Sequence, residues 1–296
     1  MELWFGAVAL GLAYAFLGMG VFITMRIYNF PDITADGSLT AGAAITAALL
    51  AHGWNPFITV AVATAGGFVA GLLTGLIHTK LKVNGLLAGI LVMTALYSIN
   101  LRIMGRANVP LIDIPTVITP FATLLGSDSA PYSAPILFFS LLVAAALFLL
   151  SFLFRTDFGL GMRATGDNET MIAAQGVSTD RMKIVGIGLS NALIAASGSL
   201  VAQYQSFADI GLGIGIVVFG LASVIIGETV AGLFPNGGGI GVRLLCVLLG
   251  TILFRELVAL VLKLGLEPSD LKIATAFFVL LAIILPQSKF WIRRKG

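Results

Sequence analysis

The sequence predicts an all-α polytopic membrane protein with about nine transmembrane helices, within a range of eight to ten. Three observations predict it. Of the 296 residues, 58% are apolar and only 10% are charged, and the mean hydropathy is +1.03. A soluble domain carries about 25% charged residues, so this composition cannot cover a water-facing surface, whereas it suits a lipid-facing one. The apolar residues also gather into runs close to the roughly 20 residues needed to cross a bilayer. Finally, Lys and Arg concentrate in alternate connections between the runs, as they do in membrane proteins of fixed orientation.

In chain order the runs are 3–25, 37–53, 57–79, 84–103, 135–154, 184–206, 213–231, 241–262 and 271–287. The N-terminus, Met1-Glu2-Leu3-Trp4, lacks a positive leader region, so the first run reads as a retained span rather than a cleaved signal. The second is short and follows a polar stretch; the seventh is interrupted by glycine. With nine spans and the C-terminus inside, twelve of the 17 Lys and Arg residues fall inside. Arg102, Arg106, Arg255, Lys263 and Lys272 fall on or near the outer face. The expected orientation is therefore N-terminus outside, C-terminus cytoplasmic. The net charge of +3 serves that orientation and gives no reason to expect nucleic acid.

Two connections are long. The first, 104–134, holds Pro110, Pro115, Pro120 and Pro131 and is expected outside. The second, 155–183, is expected in the cytoplasm and holds Arg155, Asp157, Arg163, Asp167, Glu169, Asp180, Arg181 and Lys183. It also carries helix signals: Asn168 is placed to cap a short helix through Ala174, Gly176 to end it, and Ser178 or Thr179 to start the next. A folded loop is expected there.

Phe30-Pro31-Asp32-Ile33 precedes the second span and Phe207-Ala208-Asp209-Ile210 precedes the seventh. Each is followed by small residues and two further spans. The pattern divides the chain into a first repeat (1–103), the outer loop (104–134), a connector span (135–154), the cytoplasmic region (155–183) and a second repeat (184–296). The odd connector sets the two four-helix units in opposite orientations, an inverted repeat with broken helices.

The first Phe-x-Asp-Ile segment contains Asp32 and Asp36 between two apolar runs, and Pro31 and Gly37 oppose a continuous helix. Two readings stand. Either the segment is a broken helix bordering a path through the membrane, where carboxylates are costly and functional, or it is a solvated turn in which Asp36 caps the second span. Asp209 through Gly215 has glycine at every second position and reads either as a second broken helix or as a flexible outer turn. Gly67, Gly71 and Gly75 share one helix face and read as a packing seam, as do Gly85 and Gly89.

Enzyme signals are missing. There is no G-x-x-x-x-G-K-[ST] and no H-E-x-x-H. His52 and His78 are isolated near span ends, and the single Cys246 excludes an intrachain disulfide and a cysteine metal cluster.

With these residues in view, the chain resembles the permease subunits of ATP-binding-cassette importers of the branched-chain amino acid and ribose class. Three places carry the resemblance: Asn29-Phe30-Pro31-Asp32 through Gly42; Phe158 through Asn168 with Ala173-Ala174-Gln175-Gly176-Val177; and Phe219 through Ile226-Gly227 to Gly241. Tyr28–Gly42, His78–Lys82 and Thr94–Asn100 resemble a subgroup linked to tryptophan or tyrosine uptake and paired with a lipoprotein receptor.

The resemblance implies a single permease domain over 1–296 in a bacterial cytoplasmic membrane. It implies that Arg163, Gly166, Asp167, Asn168, Glu169, Ala173, Ala174 and Gly176 engage an ATP-binding partner subunit. It also implies that Phe30, Asp32, Asp36, Phe207 and Asp209 border the path or its gate. ATP and Mg would sit on the partner, with no cofactor in this chain. An extracytoplasmic receptor and a second permease copy, as a homodimer, would complete the assembly. Asp32 and Asp36 favour an amino acid over a sugar or nucleoside. The rival is an ion-coupled secondary carrier using Asp32, Asp36 or Glu228, which the folded cytoplasmic loop opposes.

Overall fold

The computed structural model describes residues 2–124, 133–232, 234, 238–265, 273–282 and 284. Parts of the 104–134 loop and of the expected ninth span, and the basic C-terminal tail, lie outside the described residues. The remainder is helical apart from one two-stranded ribbon.

Helix α1 (Glu2–Val21) runs on into a π-helical turn, Phe22–Ile27. Tyr28–Ile33 are non-helical, and α2 spans Thr34–Ala51. Asn55 caps α3 (Pro56–Lys80) by accepting from Phe57 N at 2.9 Å, with proline in the first turn. Asn84 caps α4 (Gly85–Met104) in the same way, and Gly105, at φ +68°, ends it. Strand β1 (Asn108–Pro110) and the short α5 (Thr119–Leu124) precede α6 (Ser133–Leu153). Then come α7 (Asp157–Asp167), α8 (Glu169–Ala174) and the long α9 (Thr179–Gln205). Strand β2 (Phe207–Asp209), α10 (Ile216–Ala231), α11 (Ile240–Lys263) and α12 (Ile273–Ala282) complete the described chain.

Six helical stretches are long and apolar enough to cross a membrane: Leu3–Ile27, α3, α4, α6, α9 and α11. The other expected spans coincide with α2, α10 and α12, which do not meet that measure among the described residues. Helix α9 begins at Thr179, five residues before the expected start, because Ser178 provides the turn into it. Helix α7 was not anticipated at all.

Burial orders the layers. In their most apolar stretches α1 is 83% buried and α9 78%, whereas α4 and α6 are each 28% buried. Helices α1 and α9 therefore form the centre, and α3, α4 and α6 present apolar surface outward. Glycine contacts fix the directions. Gly6 faces Tyr204 and Gly20 faces Ile194, so α1 and α9 are antiparallel. Ser38 meets Asn191 and Thr46 meets Ser199, so α2 runs parallel to α9.

The expected seam is present. Side chains added at Gly67, Gly71 and Gly75 would strike Asn191, Ile187 and Ile184 of α9. Gly11 and Gly18 of α1 likewise lie against Ile252 and Thr251 of α11. Small residues let helix backbones approach closely where lipid offers no hydrophobic drive to associate.

The molecule has two ends. One carries Tyr28–Pro31, the α3–α4 turn, α7 and α8. The other carries the ribbon, in which Val109 pairs with Ala208 in antiparallel register, and a small apolar cluster of Leu50, Met104, Val109, Leu111 and Ala208. Gly6 faces Tyr204, just before β2, which places the N-terminus at the ribbon end, where Lys263 Nζ lies 5.6 Å from the Trp4 ring centre.

Candidate functional site

Polar residues, which the composition makes rare, are gathered where α2, α3 and α9 meet. Asp32 is only 2% exposed. Its Oδ1 accepts from Thr34 N at 2.9 Å, starting α2, and its Oδ2 accepts from Asn191 Nδ2 at 2.7 Å. Asn191 also donates to Ile187 O and accepts from Ser38 Oγ at 2.7 Å. Thr34 and Thr74 share a hydroxyl contact at 2.8 Å. A buried carboxylate is costly unless hydrogen-bonded, and here one asparagine and one backbone amide give each oxygen a donor. Asn191 escaped notice in the sequence. Its one signal is an amide in the middle of an apolar run.

Asp36 plays a different part. Its Oδ2 accepts from Gly215 N at 2.8 Å and its Oδ1 from Val217 N at 3.0 Å. A side chain of α2 thus caps α10 from outside, placing negative charge on the positive end of that helix dipole. Thr40 Oγ1 adds a bond from Gly213 N at 3.1 Å. Asp36 does not cap its own helix; it caps α10, with partners 179 and 181 residues away.

Both interruptions are turns between antiparallel helices, sunk into the molecule, rather than breaks within one helix. Asn29, at φ +50°, turns the chain after the π turn, and Gly215, at φ +82°, does so before α10.

The five path residues divide between the ends. The Phe30 ring stands edge-on to His78, with centres 5.0 Å apart, and packs on Gly85. It borders a cavity of about 250 Å³ with Tyr28, Asn84 and Lys183. Phe207 and Asp209 lie in β2 at the ribbon end. Asp209 accepts from Gly211 N at 2.8 Å and from Asn108 Nδ2 at 3.2 Å. Asp32 and Asp36 are both buried near the start of α2 but hold separate partners, Phe30 lies in the turn before them, and Phe207 and Asp209 stand apart at the ribbon end.

The eight residues of the 155–183 region fold together. Thr156 caps α7, and Asn168 caps α8 by accepting from Met171 N at 3.0 Å, as foreseen. Gly176, at φ +85°, makes the turn after α8. Arg163, Asp167, Glu169, Ala173 and Ala174 are exposed, with Met171 at 57%, whereas Met162, Thr165 and Ile172 are buried beneath. Gly166 lies against the backbone of Ile27 and Tyr28, with no room for a side chain. The Tyr28 hydroxyl donates to Met182 O at 2.6 Å. Lys183 pairs with Glu169 and holds its carboxyl below the usual range, and Lys80 pairs with Asp180 at 2.8 Å. An exposed short helix therefore leans, through α7, on the turn that carries Asp32. Beside it Arg26, Arg163, Asp167 and Arg243 line a cavity of about 210 Å³, and Arg26 pairs with Glu228.

The sequence matches over residues 4–285 the family described as branched-chain amino acid transport system, permease component. The chain belongs to this family. It is a multi-pass membrane permease component of an ATP-binding-cassette importer. The permease is 39% identical over 269 residues to the tyrosine transport system permease protein of Clostridioides difficile, covering 91% of this chain and 86% of the relative. It is 29% identical over 266 residues to an uncharacterized protein of Rickettsia prowazekii, covering 90% and 91%. It is 24% identical over 262 residues to the ribose import permease protein of Escherichia coli, covering 87% and 77%. The resemblance noted in the sequence is thus correct at the level of family.

Proposed function

We propose that this permease imports an amino acid, aromatic or branched-chain, and that ATP hydrolysis in a partner subunit drives it through the 155–183 region. The observation that carries the coupling is the contact of Gly166 with Ile27 and Tyr28. Motion imposed on the exposed face of α8 reaches the buried turn through rigid, capped elements. Arg163, Asp167, Asn168, Glu169, Ala173, Ala174 and Gly176 are the residues a partner would grip. The region is then cytoplasmic, with the N-terminus outside and an extracytoplasmic receptor at the ribbon end. ATP and Mg belong to the partner.

The substrate class rests on the relative named for tyrosine transport. More distant relatives are named for ribose import, which keeps a sugar as the second reading. Asp32 and Asp36 contribute by holding the path's walls, since both carboxylates are engaged within the chain. An inverted repeat is supported by packing: α1 lies on α11 as α9 lies on α3, each pair antiparallel. Nine spans and a homodimer complete the proposal.

The test is reconstitution with the ATPase and receptor. ATP-dependent uptake of labelled tyrosine or leucine, lost when α8 is replaced by a Gly-Ser linker, is the expected result. Uptake that follows an ion gradient without ATP overturns the coupling, and uptake of ribose alone overturns the substrate class.

A further inference from the structure

Among the described residues few buried side-chain polar atoms lack a partner, and one of them belongs to a residue that lines a cleft. Asn100 of α4 is 1% exposed. Its Nδ2 donates to Gly37 O at 3.1 Å. A backbone carbonyl only accepts, so this bond fixes the amide's orientation and turns Oδ1 the other way. Oδ1 is buried and has no partner. A bare amide oxygen at hydrocarbon depth is costly, and such a group persists where water or a ligand reaches it.

Asn100 borders a cleft of about 20 Å³ shared with Asp36, Thr40, Met93, Tyr97 and Ile214. That space admits one small polar group, since a single water needs about 10–15 Å³ by the same measure. The buried polar atoms around it offer acceptors. The Asp36 oxygens each accept one backbone N–H and keep further lone pairs, and the Thr40 hydroxyl already donates to Asp36 O and accepts from Gly213 N. The cleft therefore suits a hydrogen-bond donor, and the carboxylate makes a cationic donor the best fit. At its mouth Tyr97 is 49% exposed and Ile214 55% exposed, which supplies an aromatic and apolar wall.

Resting on the reading of this chain as an amino acid permease, we propose that the cleft is an ammonium subsite of the translocation path. Asn100 Oδ1 accepts from the α-ammonium of the passing amino acid, and the substrate's side chain lies against Tyr97. The α4 face carrying Tyr97 and Asn100 accordingly fronts an aqueous path and not lipid.

The experiment uses the permease reconstituted with its ATPase and receptor, with labelled tyrosine and labelled ribose as probes. Asn100→Leu removes the acceptor and is expected to lower the kcat of tyrosine uptake by about tenfold or more, the worth of a hydrogen bond to a charged group. KM, set by delivery from the receptor, stays near the wild-type value. Asn100→Asp keeps an acceptor but has no N–H to donate, so the bond to Gly37 O is lost, and uptake is expected to stay within about threefold of wild type. Equal uptake in wild type and Asn100→Leu overturns the subsite. Equal loss in both variants also overturns it, because the bond to Gly37 is then the part that matters. A wild-type complex that moves ribose and no amino acid overturns the substrate class itself, a result distinct from either.

Discussion

At the scale of single residues, the buried carboxylates are joints. Asp36→Ala would strip the cap from α10 and leave the Gly215 and Val217 amides bare. A loss of about 1–2 kcal/mol is expected, read as a lower thermal midpoint in detergent, with Asp36→Asn losing less. Asn191→Leu would leave both Asp32 and Ser38 without their shared partner. It is expected to cost about 1–3 kcal/mol, while Asn191→Gln recovers part of it. The sequence announced Asp32 and Asp36, because carboxylates between apolar runs are conspicuous. It could not announce what they bind. The partners of Asp36 lie about 180 positions away, and no local pattern encodes a cap supplied across the fold. Asn191 and Asn100 were passed over for a related reason. One amide in a long apolar run barely alters its hydropathy, and only packing reveals whether that amide is satisfied.

At the scale of elements, apolar runs were legible to within a few residues, since length and hydropathy follow bilayer thickness. The elements that escaped were those whose residues speak against themselves. Helix α7 contains Gly159, Gly161 and Gly166, which read as breakers but serve close approach, Gly159 to the end of α6 and Gly166 to Tyr28. The three-residue strands and the π turn are too short to carry a period. Gly166 permits a direct prediction. Gly166→Val would push α7 off Ile27 and Tyr28, and uptake is expected to fall at least about tenfold, as a misplaced element distant from the site can cause. ATP hydrolysis by the partner would continue, so the ratio of hydrolysis to transport is the measurement.

The Glu169–Lys183 pair joins α8 to α9. Lys183 lowers the Glu169 pKa in the folded chain. The pair therefore stabilises the docked α8 above the ordinary glutamate range, and that contribution disappears as pH falls through the lowered folded value. Both partners touch solvent, so the effect is small and salt-sensitive. The protection of amides 169–174, corrected for the intrinsic slowing of exchange in acid, is expected to fall on acidification in the wild type and to change less in Glu169→Gln.

At the scale of the whole molecule, the orientation is open to direct measurement. Cys246 is the sole cysteine and is buried, so a Cys246→Ala background leaves no thiol to compete. Met171→Cys on α8 is expected to react with an impermeant maleimide only from the cytoplasmic side, and Ile112→Cys, at a position 70% exposed near the ribbon, only from outside. The reverse pattern overturns the orientation drawn from Lys and Arg. The clasp of Asp36 on α10 has a further consequence at this scale. Parting α2 from α10 would bare a carboxylate and two amides at hydrocarbon depth, at a cost of several kcal/mol. The first and last thirds of the chain are thereby riveted into one body, and any transport cycle that keeps this clasp closed must hinge elsewhere.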